Sequence, residues 1–187
     1  MNNLIRHPKR SEPVNLEAER EPTLRERLRS HFRPNSSSKT ERCLLLDISG
    51  SMAYPAGTGR TKFEELKRAI AEFRSERVFV FSNDCEERGG VDDLPEYPAG
   101  GTMMDIAFET VKGKGIVHAI IVTDGCPDSE SRALQAASGL CLDILYIGPP
   151  PVPGFLGDLA RVTGGQFGTA SFAVQGQLTT KIRGLLE

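Results

Sequence analysis

Two apolar runs that each lead to an aspartate constrain the fold of this chain most. Residues 43–46, "CLLL", lead directly into Asp47, and residues 116–122, "IVHAIIV", lead into Thr123 and Asp124. Runs this apolar predict β-strands that are buried on both faces of a sheet. A buried carboxylate at the end of such a strand is costly unless its charge is compensated. We therefore expect these strand ends to hold a ligand.

Predicted strands and helices alternate from residue 41 onward. Strands are predicted at residues 42–47, 77–82, 115–124, 141–148 and 166–172, and helices at 61–73, 102–111, 129–138, 154–163 and in the terminal segment. Thr61 and Glu64 have the spacing of a capping box at the start of the first helix. Strands that alternate with helices predict a mostly parallel sheet covered on both faces. The predicted fold class is α/β, a three-layer, Rossmann-like, doubly wound sheet.

Two segments depart from this regular pattern. Between residue 83 and Gly101 we predict irregular structure. The terminal helix is predicted to carry Val174, Leu178, Ile182 and Leu185.

Length and charge divide the chain into an extension and a domain. The 187 residues suffice for one domain with an appendage. Residues 1–40 contain four prolines and carry a net charge of +4, whereas residues 41–187 carry −6. We predict a basic N-terminal extension at 1–40, which is either disordered or forms a docking helix through Leu24, Leu28 and Phe32. The domain is predicted at 41–187.

The composition argues against several kinds of partner and site. The net charge is only −2, so we expect no specific nucleic-acid partner. No apolar stretch has the length of a membrane span and no apolar signal segment begins the chain, so we expect a cytoplasmic protein without a membrane partner. The four cysteines form no CxxC pair and the three histidines are scattered, which argues against zinc.

Five oxygen-bearing side chains fall where predicted strands end or a predicted helix begins. Asp47, Ser49 and Ser51 follow the first strand, Thr102 follows a glycine pair, and Asp124 ends the run "IIVTD". Open parallel sheets bind ligands beyond the carboxyl ends of their strands, so the two carboxylates face one crevice if their strands are neighbours. Hard oxygen donors with a summed charge of −2 favour Mg²⁺, with Mn²⁺ or Ca²⁺ as alternatives.

These residues resemble the motifs of the von Willebrand factor A (vWA) domain family. "DISGSM" is similar to the family's Asp-x-Ser-x-Ser motif, and Thr102 and the Asp124 of "VTDG" resemble the other two loops of its metal-ion-dependent adhesion site. "ARVTGGQF" resembles the helix and glycine pair before the family's last strand. The resemblance runs from about residue 41 to the C-terminus, but only about fifty residues separate Ser51 from Thr102, so we expect short connections there.

The resemblance implies a Rossmann-like sheet with Mg²⁺ bound at its top. Ser49, Ser51 and Thr102 would contact the metal directly or through water, while Asp47 and Asp124 would act mostly through water and hydrogen bonds to the hydroxyls. An Asp or Glu of a partner protein would fill the open coordination position. The chain would then be a protein-binding adaptor or assembly module and not an enzyme. Intracellular bacterial members of the family often work beside AAA+ ATPases of the MoxR type, so such an ATPase is an expected partner.

Two other functions stay open at this point. A metal-dependent hydrolase or phosphatase on a Rossmann-like sheet would also place Asp47 at a strand end, although "ISGSM" lacks the spacing of a serine nucleophile elbow. A metal-independent structural or assembly subunit would use its sheet edges and the N-terminal arm. Independently of these functions, Asp47, Ser49 and Ser51 could form only a strand-to-helix turn with Asx and Ser hydrogen bonds.

Overall fold

A six-stranded sheet forms the centre of the computed structural model, which describes residues 41–187. Its strands are β1 (Arg42–Asp47), β2 (Arg77–Phe81), β3 (Cys85–Arg88), β4 (His118–Thr123), β5 (Cys141–Tyr146) and β6 (Phe167–Thr169). They lie in the order β3-β2-β1-β4-β5-β6. All neighbours run parallel except β2 and β3, which are antiparallel. The mostly parallel sheet is therefore as predicted.

Five α-helices connect or follow these strands. They are α1 (Lys62–Ile70), α2 (Met104–Gly113), α3 (Glu130–Ala136), α4 (Gly154–Thr163) and α5 (Gln177–Leu186), and two short 3₁₀ helices span Gly50–Ala53 and Val91–Asp93. The predicted capping box begins α1: the Thr61 hydroxyl accepts from the Glu64 backbone N–H, and the Glu64 carboxylate accepts from the Thr61 backbone N–H. None of the described helices combines the length and the apolar character that crossing a membrane requires.

The side chains of β1 alternate between two apolar cores because successive residues of a strand point to opposite faces. Cys43 and Leu45 pack in the core formed with α2, α3 and α4. Leu44 and Leu46 pack in the core formed with α1 and α5. Each fully buried leucine contributes about 2 kcal/mol of hydrophobic stabilisation. The result is the three-layer, doubly wound α/β fold that the sequence predicts.

The winding of the sheet reverses between β1 and β4. From β1 the chain moves to β2 on one side, and it later returns to β4 on the other side. The two strands pair in parallel, with Leu46 beside Val122. The carboxyl ends of β1 and β4 therefore open into one crevice. The sequence predicts that Asp47 and Asp124 face one crevice if their strands are neighbours, and these strands are neighbours.

The segment between residue 83 and Gly101 contains a strand that the sequence pattern did not predict. β3, "CEER", pairs with β2 through a tight connection and forms one edge of the sheet. Its residues do not alternate between apolar and polar side chains, so the sequence pattern did not indicate a strand here. Charged side chains on an edge strand also oppose pairing with a further chain.

The terminal helix begins later than predicted. Val174 lies before α5 and is 55% exposed, so the prediction that the terminal helix carries it is wrong. Gly176 has a φ of 74°, a left-handed conformation that a helix does not continue through. Leu178, Ile182 and Leu185 lie on α5 as predicted: Leu178 and Ile182 are buried together with Leu186, and Leu185 is partly buried.

The predictions for residues 1–40 lie outside the described residues. These include the basic extension and its docking helix through Leu24, Leu28 and Phe32.

Candidate metal centre

Asp47 lies fully buried at the carboxyl end of β1. Its Oδ1 accepts a hydrogen bond from the backbone N–H of Ser49 at 2.7 Å, and its Oδ2 accepts one from the hydroxyl of Thr123 at 2.6 Å. Thr123 reaches Asp47 because it ends β4, the neighbour of β1. Two donors from different strand ends fix the orientation of this carboxylate and leave lone pairs on both oxygens for further donors.

Burial raises the pKa of the Asp47 carboxyl to about 6, because removal from water disfavours the charged form. Hydrogen bonds from Ser49 and Thr123 lower the pKa, and the nearby charge of Asp124 raises it further. A cation close to Asp47 would lower this pKa again, since it stabilises the carboxylate.

Two serine hydroxyls connect the region of Asp47 to Asp124. The 3₁₀ helix Gly50–Ala53 follows Ser49 and brings the Ser49 and Ser51 hydroxyl oxygens to 3.1 Å from each other. The Ser51 hydroxyl donates to Asp124 Oδ1 at 2.7 Å. Four of the five predicted ligands therefore belong to one hydrogen-bonded cluster at the winding reversal.

Thr102, the fifth predicted ligand, lies on a loop tied by backbone hydrogen bonds to the loops that carry the other four. The N–H of Gly50 donates to the carbonyl of Gly100 at 2.9 Å. The N–H of Asp128 donates to the Thr102 carbonyl at 3.1 Å, and the Thr102 N–H donates back to Asp128 Oδ2 at 3.2 Å. Among the described residues, the Thr102 hydroxyl makes no hydrogen bond, so Thr102 shares the rim of the crevice without joining the cluster.

The glycine pair before Thr102 is required by the close packing of these loops. Gly100 has a φ of 92°, which favours glycine. A Cβ on Gly101 would lie 2.5 Å from Asp128 Oδ2. A side chain at Gly101 would therefore displace the Asp128 carboxylate, which accepts from the Thr102 N–H.

Lys62 is part of the cluster, although the sequence analysis did not predict it. Its Nζ lies 2.5 Å from Asp124 Oδ2, and its side chain is 11% exposed. The five predicted donors carry a charge of −2, and this ammonium brings the summed charge of the cluster to −1. Asp124 thus accepts from Ser51 on one oxygen and from Lys62 on the other.

Comparison with known proteins identifies the fold. Neither a protein-family model nor a curated protein sequence matches the chain. A solved structure, the von Willebrand factor type A protein from Catenulispora acidiphila, superimposes with a TM-score of 0.60 at 21% sequence identity. The chain has a vWA-like fold. The match covers 76% of this chain and 41% of the other, so the chain spans less than half of the protein that it resembles.

A second solved structure is the N-terminal domain of TFIIH p34. It matches with a TM-score of 0.47 at 13% identity, over 78% of this chain and 95% of that domain.

Within the vWA-like fold, Lys62, Thr123 and Asp128 are the site residues that the sequence analysis missed. A lysine in the first turn of a helix opposes the helix dipole, so Lys62 at the start of α1 carried a weak signal that a nearby anion holds it. Thr123 directly precedes Asp124 at the end of an apolar run, but its partner Asp47 lies 76 positions away. Asp128 carried no signal, because its role depends on the backbone of Thr102.

The donors at the top of the vWA-like sheet fit a hard divalent cation. They are carboxylate and hydroxyl oxygens, which suit Mg²⁺, Mn²⁺ or Ca²⁺. Among residues 41–187, no group of three or more His, Cys, Asp or Glu side chains has the geometry to hold a metal, so a metal at this position would need oxygen donors besides the two carboxylates. Burial raises the pKa of Cys43 and Cys85 to about 12, which makes their thiols poor metal ligands.

The cluster satisfies its own hydrogen bonds. In the described part of the chain, the only buried side-chain nitrogen or oxygen without a hydrogen-bond partner is Arg88 Nε on β3. The buried polar atoms of the site are therefore hydrogen-bonded without an ion, and we expect the fold to form without one.

Proposed function

We propose that this chain is a metal-dependent protein-binding module that acts as an adaptor or assembly component in the cytoplasm. Ser49, Ser51 and Thr102 would hold Mg²⁺, or Mn²⁺ or Ca²⁺, with Asp47 and Asp124 behind them. The observation that carries the proposal is a hydrogen-bonded cluster at the ends of two neighbouring strands of a vWA-like sheet. In this cluster Ser49 and Ser51 connect Asp47, at the end of β1, to Asp124, which follows β4. An Asp or Glu of a partner protein would complete the coordination.

The physical basis of recognition is the charge that the site leaves uncompensated. Two carboxylates and one ammonium do not neutralise a divalent cation, so the bound ion would retain a net attraction for another anion. That attraction is stronger in a crevice shielded from water than in bulk solvent. When bound, the ion supplies an electrophilic contact for a carboxylate, and the partner's acidic residue provides that carboxylate.

The environment of the two aspartates supports binding over catalysis. A general base must reach a proton on the substrate. Asp47 is fully buried with a protein donor on each oxygen, and Asp124 accepts from Ser51 and Lys62. The burial of Asp47 and the two donors already on Asp124 disfavour proton transfer from a bound substrate, and this supports binding over the hydrolase or phosphatase alternative.

Calorimetric titration with Mn²⁺ tests the metal site. Wild-type protein should bind one Mn²⁺, and Asp124→Asn should weaken binding by at least about tenfold, because one of the two ligand charges is lost. Asp158→Asn is the matched control, since this aspartate is exposed on α4 and pairs with Arg161. Equal Mn²⁺ affinity in wild type and Asp124→Asn, with both variants folded, would show that the cluster does not bind metal.

A pull-down from cell lysate tests the partner. The first candidate, by analogy with bacterial proteins of the vWA family, is an AAA+ ATPase of the MoxR type. Retention should require Mg²⁺ or Mn²⁺, should be reversed by EDTA, and should weaken in Thr102→Ala while the melting temperature changes little. Full retention of the same partner in EDTA and in Thr102→Ala would favour the metal-independent assembly subunit instead.

A further inference from the structure

Lys62 has an unusual position for a lysine. It is the first residue of α1, where the helix dipole disfavours a positive charge, and its side chain is only 11% exposed. Burial of an ammonium group costs free energy unless a partner compensates it. The contact with Asp124 Oδ2 at 2.5 Å provides that compensation and explains why the charge is held at the crevice.

The contact places an ammonium on the same carboxylate that the metal site requires. Asp124 Oδ1 accepts from Ser51, which is itself a predicted ligand, and Oδ2 accepts from Lys62. A divalent ion beside Ser51 would therefore share Asp124 with a positive charge. Ion and ammonium repel each other, and the lysine neutralises part of the charge that attracts the ion.

Lys62 lies beside an open cavity and close to an aromatic ring. Lys62 lines an open cavity of about 640 Å³ together with Tyr54, Tyr146 and Phe172. The Tyr54 ring centroid lies 5.8 Å from Lys62 Nζ, which is within the range of a cation–π contact. The ammonium thus contacts the Tyr54 ring as well as Asp124 in the same position.

We propose that Lys62 is a built-in counter-cation of Asp124 that competes with the divalent ion and lowers the metal affinity of the site. This inference rests on the proposed function, because it concerns the same crevice. In the metal-free protein the lysine stabilises the carboxylate cluster, and metal binding proceeds against its charge. The site would therefore load at a higher metal concentration than its oxygen donors alone would require.

The test is titration of the metal-free protein with Mn²⁺ in wild type, Lys62→Met and Lys112→Met. Lys112 is the matched control, because it also pairs with a carboxylate, Glu109 at 2.9 Å, and lies near the far end of α2. Both variants change the net charge equally. We expect Lys62→Met to bind Mn²⁺ at least about tenfold more tightly than wild type, and Lys112→Met to stay within about twofold, since only Lys62 is close enough to act strongly on the ion.

Thermal unfolding of the same proteins gives a second measurement. Without metal, Lys62→Met should melt at a lower temperature than wild type, because Asp124 loses its partner. Saturating Mn²⁺ should raise the melting temperature of Lys62→Met more than that of wild type, since a tighter ligand stabilises more at the same concentration. If Lys62→Met does not fold, Lys62→Gln, which retains a polar group at this position, serves in both experiments.

The outcomes separate this inference from the function on which it rests. Tighter binding in Lys62→Met supports the inference, including the case in which wild type binds too weakly to measure. Equal or weaker binding in Lys62→Met, with wild-type binding intact, overturns the inference and leaves the metal site standing. Absence of binding in wild type and in both Lys62 variants overturns the inference and the proposed metal site together.

Discussion

Asp47 shows how two opposing effects set the properties of a single residue. Burial at the end of β1 disfavours its charge, while the Ser49 N–H and the Thr123 hydroxyl stabilise it. Burial is the larger effect, so the pKa rises to about 6. The ionised carboxylate therefore destabilises the metal-free folded protein. A cation near the serines would reduce this destabilisation.

The pH dependence of stability tests this balance. The pKa of Asp47 is raised in the folded protein from an ordinary 3.8 to about 6, so its contribution to stability is full below the lower value and is lost as the pH rises through the higher one. In EDTA, the free energy of unfolding of wild type relative to Asp47→Asn should fall by about 2 kcal/mol between pH 4.5 and pH 7. Urea unfolding at several pH values measures it. Parallel profiles for the two proteins would contradict the raised pKa.

At the scale of an element, the end of α4 determines how β6 joins the sheet. Gly164 ends the helix with a φ of 79°, and Gly165 follows it. A Cβ on Gly165 would lie 2.1 Å from the carbonyl oxygen of Leu142 on β5. The pair thus turns the chain and lets it pass directly against β5, after which the Ile144 N–H donates to the Gln166 carbonyl at 2.8 Å.

Two glycine substitutions should act in opposite directions. Gly165→Ala should destabilise the protein by about 1–3 kcal/mol or more, because its methyl group overlaps the backbone of β5. Gly184→Ala in α5 meets no atom within 4 Å and should stabilise by about 0.5–1 kcal/mol, since alanine has the higher helix propensity. Chemical denaturation measures both. A Gly165→Ala protein as stable as wild type would show that the α4–β6 connection can move away from β5.

At the scale of the whole molecule, the net charge changes sign at about residue 40. Residues 1–40 carry a net charge of +4, and residues 41–187 carry −6. Within the described residues, helices cover both faces of the sheet, with α2, α3 and α4 on one face and α1 and α5 on the other. The region from residue 41 onward therefore contains the parts that a stable α/β domain needs.

Deletion of residues 1–38 should leave a folded and metal-competent domain. The first strand begins at Arg42, and the elements that line the crevice all follow it. We expect the melting temperature to change by no more than a few degrees and the Mn²⁺ affinity by less than about twofold. A large fall in melting temperature would show that the N-terminal segment packs on the domain, with Leu24, Leu28 and Phe32 the residues to substitute next.

Local pattern in the sequence was enough to predict the architecture and most of the candidate site. The apolar run before Asp47 predicted β1 at its observed bounds, and the segment 154–163 is α4 as predicted. Strand and helix periods arise from contacts between residues close in the chain, so a single sequence displays them. The spacing of Asp47, Ser49 and Ser51 is equally local, and one turn after β1 brings these residues together.

Only the tertiary structure showed which distant groups complete the site. Lys62 meets Asp124 across 62 positions, and Thr123 meets Asp47 across 76. These contacts exist because the sheet places β1 beside β4, and because α1 packs on one face of the sheet with its first residue, Lys62, close to Asp124. The strand β3 likewise forms by pairing with β2 and not through its own composition. Summed charge, pKa and hydrogen bonding at a site depend on distances between groups, and a chain acquires those distances only when it folds.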